Sequence, residues 1–266
     1  MNKVSLGAAA DQTKSFMRRE RGLVLPVAFA TFGIALILIA LVTPEAPAGQ
    51  QVQPGLWSLA VIPLMFLAII GQLSISYLVL RPGSSVRDAL WAALGRLPAA
   101  LGLILLVFAA FVAAGLLLIL ILGMLAVVFG ATETGAAALG ALAVAIVLLF
   151  MAARLLMAWP LLADRRSGPL ATLKQAFALS KGRVWKFLAL TLAFALVYVA
   201  LTGAVQLGLG SLLLIFGKLL GAEAAATFLT VVAVALFGAG IQAVWAVLLA
   251  NIYRQLTPPA EEAGRS

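Results

Sequence analysis

Five polar side chains stand inside long apolar runs: Gln72, Arg154, Gln206, Gln242 and Asn251. A guanidinium in hydrocarbon binds anions or pairs with carbonyls. Amides there bond helix to helix, each contributing roughly 0.6–2 kcal/mol. A second set, Arg165, Arg166, Lys174, Lys181, Arg183 and Lys186, crowds one short connector, and Arg87 and Arg96 stand in an earlier one. Dense cations beside apolar runs attract anionic lipid head groups. The chain has no histidine and no cysteine. That excludes imidazole acid–base chemistry, thiol nucleophiles, disulfides and thiolate metal sites. No carboxylate pair, phosphate loop or activated nucleophile stands out, so neither an enzyme nor a cofactor or metal is expected.

Each polar candidate also has a plainer reading. Arg154 lies ten positions before Asp164, or about 15 Å along a helix, so the two cannot pair on one straight helix. It is either a functional intramembrane cation or a side chain that snorkels to the interface. Gln72 and Ser76 share a helix face, with Ser74 nearby, and Gln206, Gln242 and Asn251 serve as interhelical glue. A polar pore lining needs more such groups at matching depth. The small pairs Ala110/Ala114, Ala136/Gly140 and Ala204/Gly208 permit close packing. Trp57, Trp91, Trp159, Trp185 and Tyr253 fall near the ends of apolar runs, as an aromatic belt does.

The elements that position these groups follow from composition. Of 266 residues, 64% are hydrophobic and 10% charged, and the mean hydropathy is +1.16. A soluble domain is nearer half apolar and a quarter charged. Six charge-free gaps separate Arg21, Glu45, Arg81, then Arg96, Glu133, Arg154, then Lys186 from Lys218 and Glu223 from Arg254. Each holds the ~20 residues that cross about 30 Å of hydrocarbon. Continuous apolar runs without alternation mean helices, not a barrel. The reading is an all-α polytopic membrane protein. Its spans are about 22–42, 56–80, 98–129, 135–162, 185–216 and 224–253, within a transmembrane domain over 22–254. Arg81-Pro82-Gly83 breaks the second span. Residues 1–21 form a basic cytoplasmic N-tail and 255–266 a disordered C-tail. The first apolar run is too long for a signal peptide and reads as an uncleaved anchor. The third is long enough to tilt, or to kink near Gly115 or Gly123.

Sixteen of the 18 Lys and Arg residues fall in the two tails and the two basic connectors. By the positive-inside rule these face the cytoplasm, with both termini inside a plasma membrane. The net charge of +9 therefore reads as orientation and lipid attraction. The expected partners are anionic lipids and other membrane proteins, not nucleic acid. Within the connectors, Val86, Leu90, Ala93 and Leu97 line one face and Leu170, Leu173, Phe177 and Val184 another. Arg87, Asp88, Lys174, Gln175 and Lys181 lie off them. This predicts short amphipathic helices lying in the interface, the first over 84–96.

The two connectors align at an offset of 87: Pro82 with Pro169, Ala89 with Ala176, Leu90 with Phe177, Gly95 with Gly182, Arg96 with Arg183. A shift of two spans preserves orientation, so the pattern is a parallel repeat of an interfacial helix plus a hairpin. The N-tail offers a weaker third copy, with Phe16 near Trp91 and Arg21 near Arg96. A chance match between Ala/Leu-rich connectors fits as well.

The run Leu170-x2-Leu173-x2-Ala176-Phe177-x2-Ser180-Lys181-Gly182-x2-Trp185, after a proline-terminated span, is similar to a signature of YciC-like bacterial inner-membrane proteins. It also resembles the membrane domain joined to some glycerophosphodiester phosphodiesterases. The resemblance implies a six-helix inner-membrane fold, with a role towards lipid or envelope homeostasis. The hydrolase domain of some such proteins has no counterpart here, so phosphodiesterase activity does not carry over. The function expected is a scaffold or accessory protein in lipid homeostasis. The alternative is a transporter or permease subunit for a lipid or small anion, with Arg154 binding the substrate. Without buried acids, proton coupling through a membrane carboxylate is not expected.

Overall fold

The computed structural model describes residues 5–44, 55, 57–129 and 133–257. Glu45, the loop prolines Pro47 and Pro54, Ala131 and the tail from Pro258 lie outside them. Eight helices follow in order among the described residues: α1 (Leu6–Val42), α2 (Trp57–Leu80), α3 (Val86–Phe129), α4 (Glu133–Leu155), α5 (Ala158–Asp164), α6 (Pro169–Ser180), α7 (Val184–Leu220) and α8 (Glu223–Leu256). Six spans are long and apolar enough to cross a membrane, with α4 and α5 together making the fourth. No strand occurs among the described residues.

Local chemistry sets the boundaries. Ser5 caps α1, its hydroxyl accepting from the Ala8 N–H. Ser85 and Asp88 form a reciprocal cap on α3: Ser85 Oγ accepts from the Asp88 N–H at 3.1 Å, and Asp88 Oδ2 accepts from the Ser85 N–H at 3.3 Å. Pro169 opens α6, where a missing N–H costs nothing. Pro160 has no N–H for the Leu156 carbonyl, and the fourth span breaks into a turn at Leu156–Met157. Gly221 ends α7 in the left-handed region at φ +66°. The fifth span therefore runs past its expected end at 216.

α1, α2 and α8 form the centre. Val24, Val27, Ala28 and Phe32 of α1 pack on Ile75 and Val79 of α2 and on Ala239, Ala243, Ala246 and Ala250 of α8. α1 and α2 meet where Gly71 faces Thr31; a Cβ on Gly71 would stand 2.8 Å from Thr31 Cβ. A five-residue π turn, Phe29–Gly33, sets Gly33 against Leu236 and Ala239 of α8. A second core joins α5 to the far end of α8: Met157 and Leu161 meet Leu249, Ile252 and Tyr253, with Ala9 and Phe187. A third joins Leu73 of α2, Ala93, Ala100 and Leu103 of α3, Leu162 of α5 and Ala176 of α6.

Several expectations change. Residues 6–21, expected as a basic tail, are helical and continuous with the first span in α1, with Ala9, Thr13 and Phe16 buried. The short helix expected over 84–96 does not stand apart; α3 runs 44 residues from Val86 through Pro98, Gly115 and Gly123, about 66 Å. Of the two connectors, the second alone forms a short helix of its own, α6. The buried faces of the connectors also differ from the large apolar stripes. They are Ala89, Ala93, Arg96 and Ala100 in α3, and Thr172, Ala176 and Ser180 in α6. Leu170 is exposed, and Leu90, Leu97, Leu173 and Phe177 are only half-buried. In lipid, apolar surface gains little by turning inward, so small residues that let backbones approach select the packing face. Small size alone does not ensure a partner: Ala110, Ala114, Ala204 and Gly208 are exposed, while Gly102 meets Pro169 and Gly210 meets Thr230. The side chain of Ala136 lies outside the described residues.

Candidate functional site: an arginine-lined hollow at the basic end

The bundle has one basic end. The start of α1 and the end of α8 meet there: the Ser5 N–H donates to Gln255 Oε1 at 3.2 Å, and Asn251 Nδ2 donates to Thr13 Oγ1 at 3.1 Å. Thr13 in turn donates to the Ala9 carbonyl, so the buried Asn251 amide is tied to the backbone of α1. α2 ends at the same level, where Leu80 gives way to Arg81-Pro82-Gly83 and Gly83 takes φ +87°.

Arg96 is the site's fixed point. It lies on the inner face of α3, 8% exposed. Nη1 donates to the Ala163 carbonyl, and Nη2 donates to the Asp164 carbonyl at 3.4 Å. These carbonyls are at the C-terminal end of α5, where no further turn supplies donors. Arg96 therefore caps α5 across the bundle and balances its negative dipole end. Tyr77 of α2 holds two guanidinium groups over its ring, Arg96 at 5.2 Å and Arg81 at 5.0 Å from the centroid. Asp164 is already occupied: Oδ2 accepts from Tyr253 Oη at 3.0 Å and faces Arg165 Nε at 3.7 Å. Tyr253 is thus a buried strut between α8 and α5, not part of a surface aromatic belt.

Between these groups lies a half-open hollow of about 350 Å³, lined by Tyr77, Arg81, Trp91, Gly95, Arg96, Asp164 and Arg166. Among the described residues the ion pairs are Arg19 with Glu20 and Arg165 with Asp164. Arg81, Arg96 and Arg166 make none. Of the side-chain N–H groups on these three arginines, protein oxygens take two from Arg96 and one from Arg81, the last reaching Tyr77 Oη at 3.5 Å. Each guanidinium carries five. The hollow is a donor-rich, net-positive site with aromatic walls.

The other sequence candidates are spread around this end. Arg87, Arg165, Arg166, Lys174, Lys181 and Lys186 are exposed, and Arg183 is half-buried. Arg154 sits between α4 and α6, with its guanidinium carbon 5.2 Å from the Phe150 ring centroid and 5.6 Å from that of Phe177. Its Nε is buried without a hydrogen-bond partner. Gln72 Nε2 and Ser76 Oγ are buried and likewise unpartnered, while Ser74 Oγ reaches the Ala89 carbonyl at 3.5 Å. Gln206 is exposed and Gln242 half-buried. The structure therefore joins Arg96 and Arg166 of the sequence set with Arg81, Tyr77 and Trp91, and leaves Arg154 apart. On sequence alone Arg81 reads as part of a helix break; its place just after a span and before Pro82-Gly83 is the available signal. Among the described residues, no three His, Cys, Asp or Glu side chains stand together.

Comparison with known proteins adds no relative: no protein-family model matches the chain, and no curated protein or solved structure matches it significantly.

Proposed function

We propose that this chain is a non-enzymatic protein of a bacterial inner membrane that gathers anionic lipids at its cytoplasmic, basic end. It acts there as a scaffold or accessory factor in lipid or envelope homeostasis. The observation that carries this reading is the clustering of exposed cations from both connectors at the end where the start of α1 meets the end of α8. Each Lys or Arg near an anionic surface contributes about 1 kcal/mol of attraction. The positive-inside rule puts that end in the cytoplasm, and the resemblance of the second connector to YciC-like proteins agrees with a lipid-related role.

The test neutralises cations outside the hollow: Arg87→Gln, Lys174→Gln, Lys181→Gln and Lys186→Gln together. In nanodiscs of mixed phosphatidylglycerol and phosphatidylcholine, the variant should lose the enrichment of phosphatidylglycerol around the protein. Unchanged enrichment defeats the proposal.

A second reading, a transporter or permease subunit for a lipid or small anion, rests on the unpartnered Arg154 Nε. If Arg154 holds a substrate, Arg154→Ala abolishes uptake in vesicles at normal expression, and Arg154→Lys restores part of it. Normal uptake by the alanine variant removes this reading.

A further inference from the structure

We infer that the hollow between α2, α3 and α5 binds the phosphate of one anionic phospholipid, with Arg81, Arg96 and Arg166 as donors and Tyr77 and Trp91 as walls. This deepens the proposed lipid association, on which it rests, from a diffuse attraction to a single site.

The charges point to an anion. Arg81 and Arg96 share the face of one tyrosine, and Arg166 lines the same hollow. The carboxylate in that lining, Asp164, is engaged by Tyr253 and Arg165. Three guanidinium groups in one concavity repel each other unless an anion lies between them. Guanidinium forks match phosphate oxygens with two parallel bonds each. Arg96 is already positioned by the α5 carbonyls, so one donor is fixed before the ligand arrives. The two exposed arginines close on it.

The surroundings point to a lipid rather than a soluble phosphate ester. The hollow sits where α2 leaves its apolar run, at Leu80–Arg81, which is head-group depth. From its rim an apolar face descends α3. Trp91, Pro98, Leu105 and Val112 are spaced seven apart and all exposed, so they lie near one line of the helix. From Pro98 to Val112 is about 21 Å of helix, longer than one leaflet's hydrocarbon of roughly 15 Å. A head group in the hollow thus leaves its acyl chains against a continuous apolar track.

The experiment is native mass spectrometry of the full chain in dodecyl maltoside. It is supplied in turn with phosphatidylglycerol, phosphatidylcholine or free glycerol phosphate. The wild type should carry one phosphatidylglycerol that survives raised salt. Arg81→Gln/Arg166→Gln should lower its occupancy about tenfold or more. Arg81→Lys/Arg166→Lys, which keeps charge but loses the forks, should recover only part. The four-site variant of the previous subsection should keep this one adduct while losing the looser ones, which separates failure of the site from failure of the broader reading. Equal binding of phosphatidylcholine overturns the inference, as does an unchanged adduct in the glutamine variant. Displacement of the lipid by glycerol phosphate at matched concentration makes the ligand a soluble phosphate ester and overturns the lipid assignment. A melting temperature within a few degrees of wild type confirms that the variants are folded.

Discussion

The two connectors align in sequence and diverge in structure. In the first, Gly95 is helical and α3 passes through it, carrying Arg96 inward to the carbonyls of Ala163 and Asp164. In the second, the aligned Gly182 takes φ +75°, the helix stops at Ser180, and Arg183 becomes the residue before α7. One pattern thus gives a rigid extension of a span and a separate short helix. Both bury a face of small residues: Ala89 and Ala93 in the first, and their aligned partners Ala176 and Ser180 in the second. Packing is shared where the backbone is not, so the small-residue face, rather than the helix boundary, is what the two segments have in common.

Breaking this contrast at Arg96 has the largest expected effect. Arg96→Ala removes two charge-assisted bonds and uncaps α5, a loss of about 3 kcal/mol. It should show as a melting temperature lowered by several degrees in detergent. A shift within error means Arg96 does not join α3 to α5. Next is Gly182→Ala, which forces a Cβ into the left-handed region at a cost of about 1–2 kcal/mol. Tyr253→Phe keeps the ring and removes the bond to Asp164, costing about 1 kcal/mol; an unchanged denaturation midpoint would show the strut is idle. The smallest change has the opposite sign. Gly95→Ala places a methyl where nothing lies within 4 Å and raises helix propensity, so it should stabilise by about 0.8 kcal/mol. Opposite shifts for the two aligned glycines uphold the contrast; shifts of the same sign end it.

The six apolar helices were legible because charge-free runs of span length have few alternatives in lipid. Asn251 was legible as interhelical glue, though its partner Thr13 was not, since that residue lies 238 positions away. The helical start of α1 was masked by Arg18-Arg19-Glu20-Arg21, which reads as a span boundary. The cap at Ser5 and the spacing of Ala9, Thr13 and Phe16 were the signals that held it. The inward turn of Arg96 was not legible at all. It depends on carbonyls exposed where α5 stops, and nothing in a linear pattern says which cation will reach them. The hollow needed three helices to assemble, so its arginines looked like separate flanking charges.

The pairing of α1 with α8 sets an order of events during synthesis. About 180 residues separate the two helices, and a ribosome takes roughly 10–35 s to add them. For that time the first helix stands in the membrane without the alanine face of α8, and Thr13 waits for Asn251. A nascent chain interrupted before α8 leaves α1 half-packed, without its alanine partners and without the Asn251 bond to Thr13. Completion of the last helix is therefore the step that commits the first.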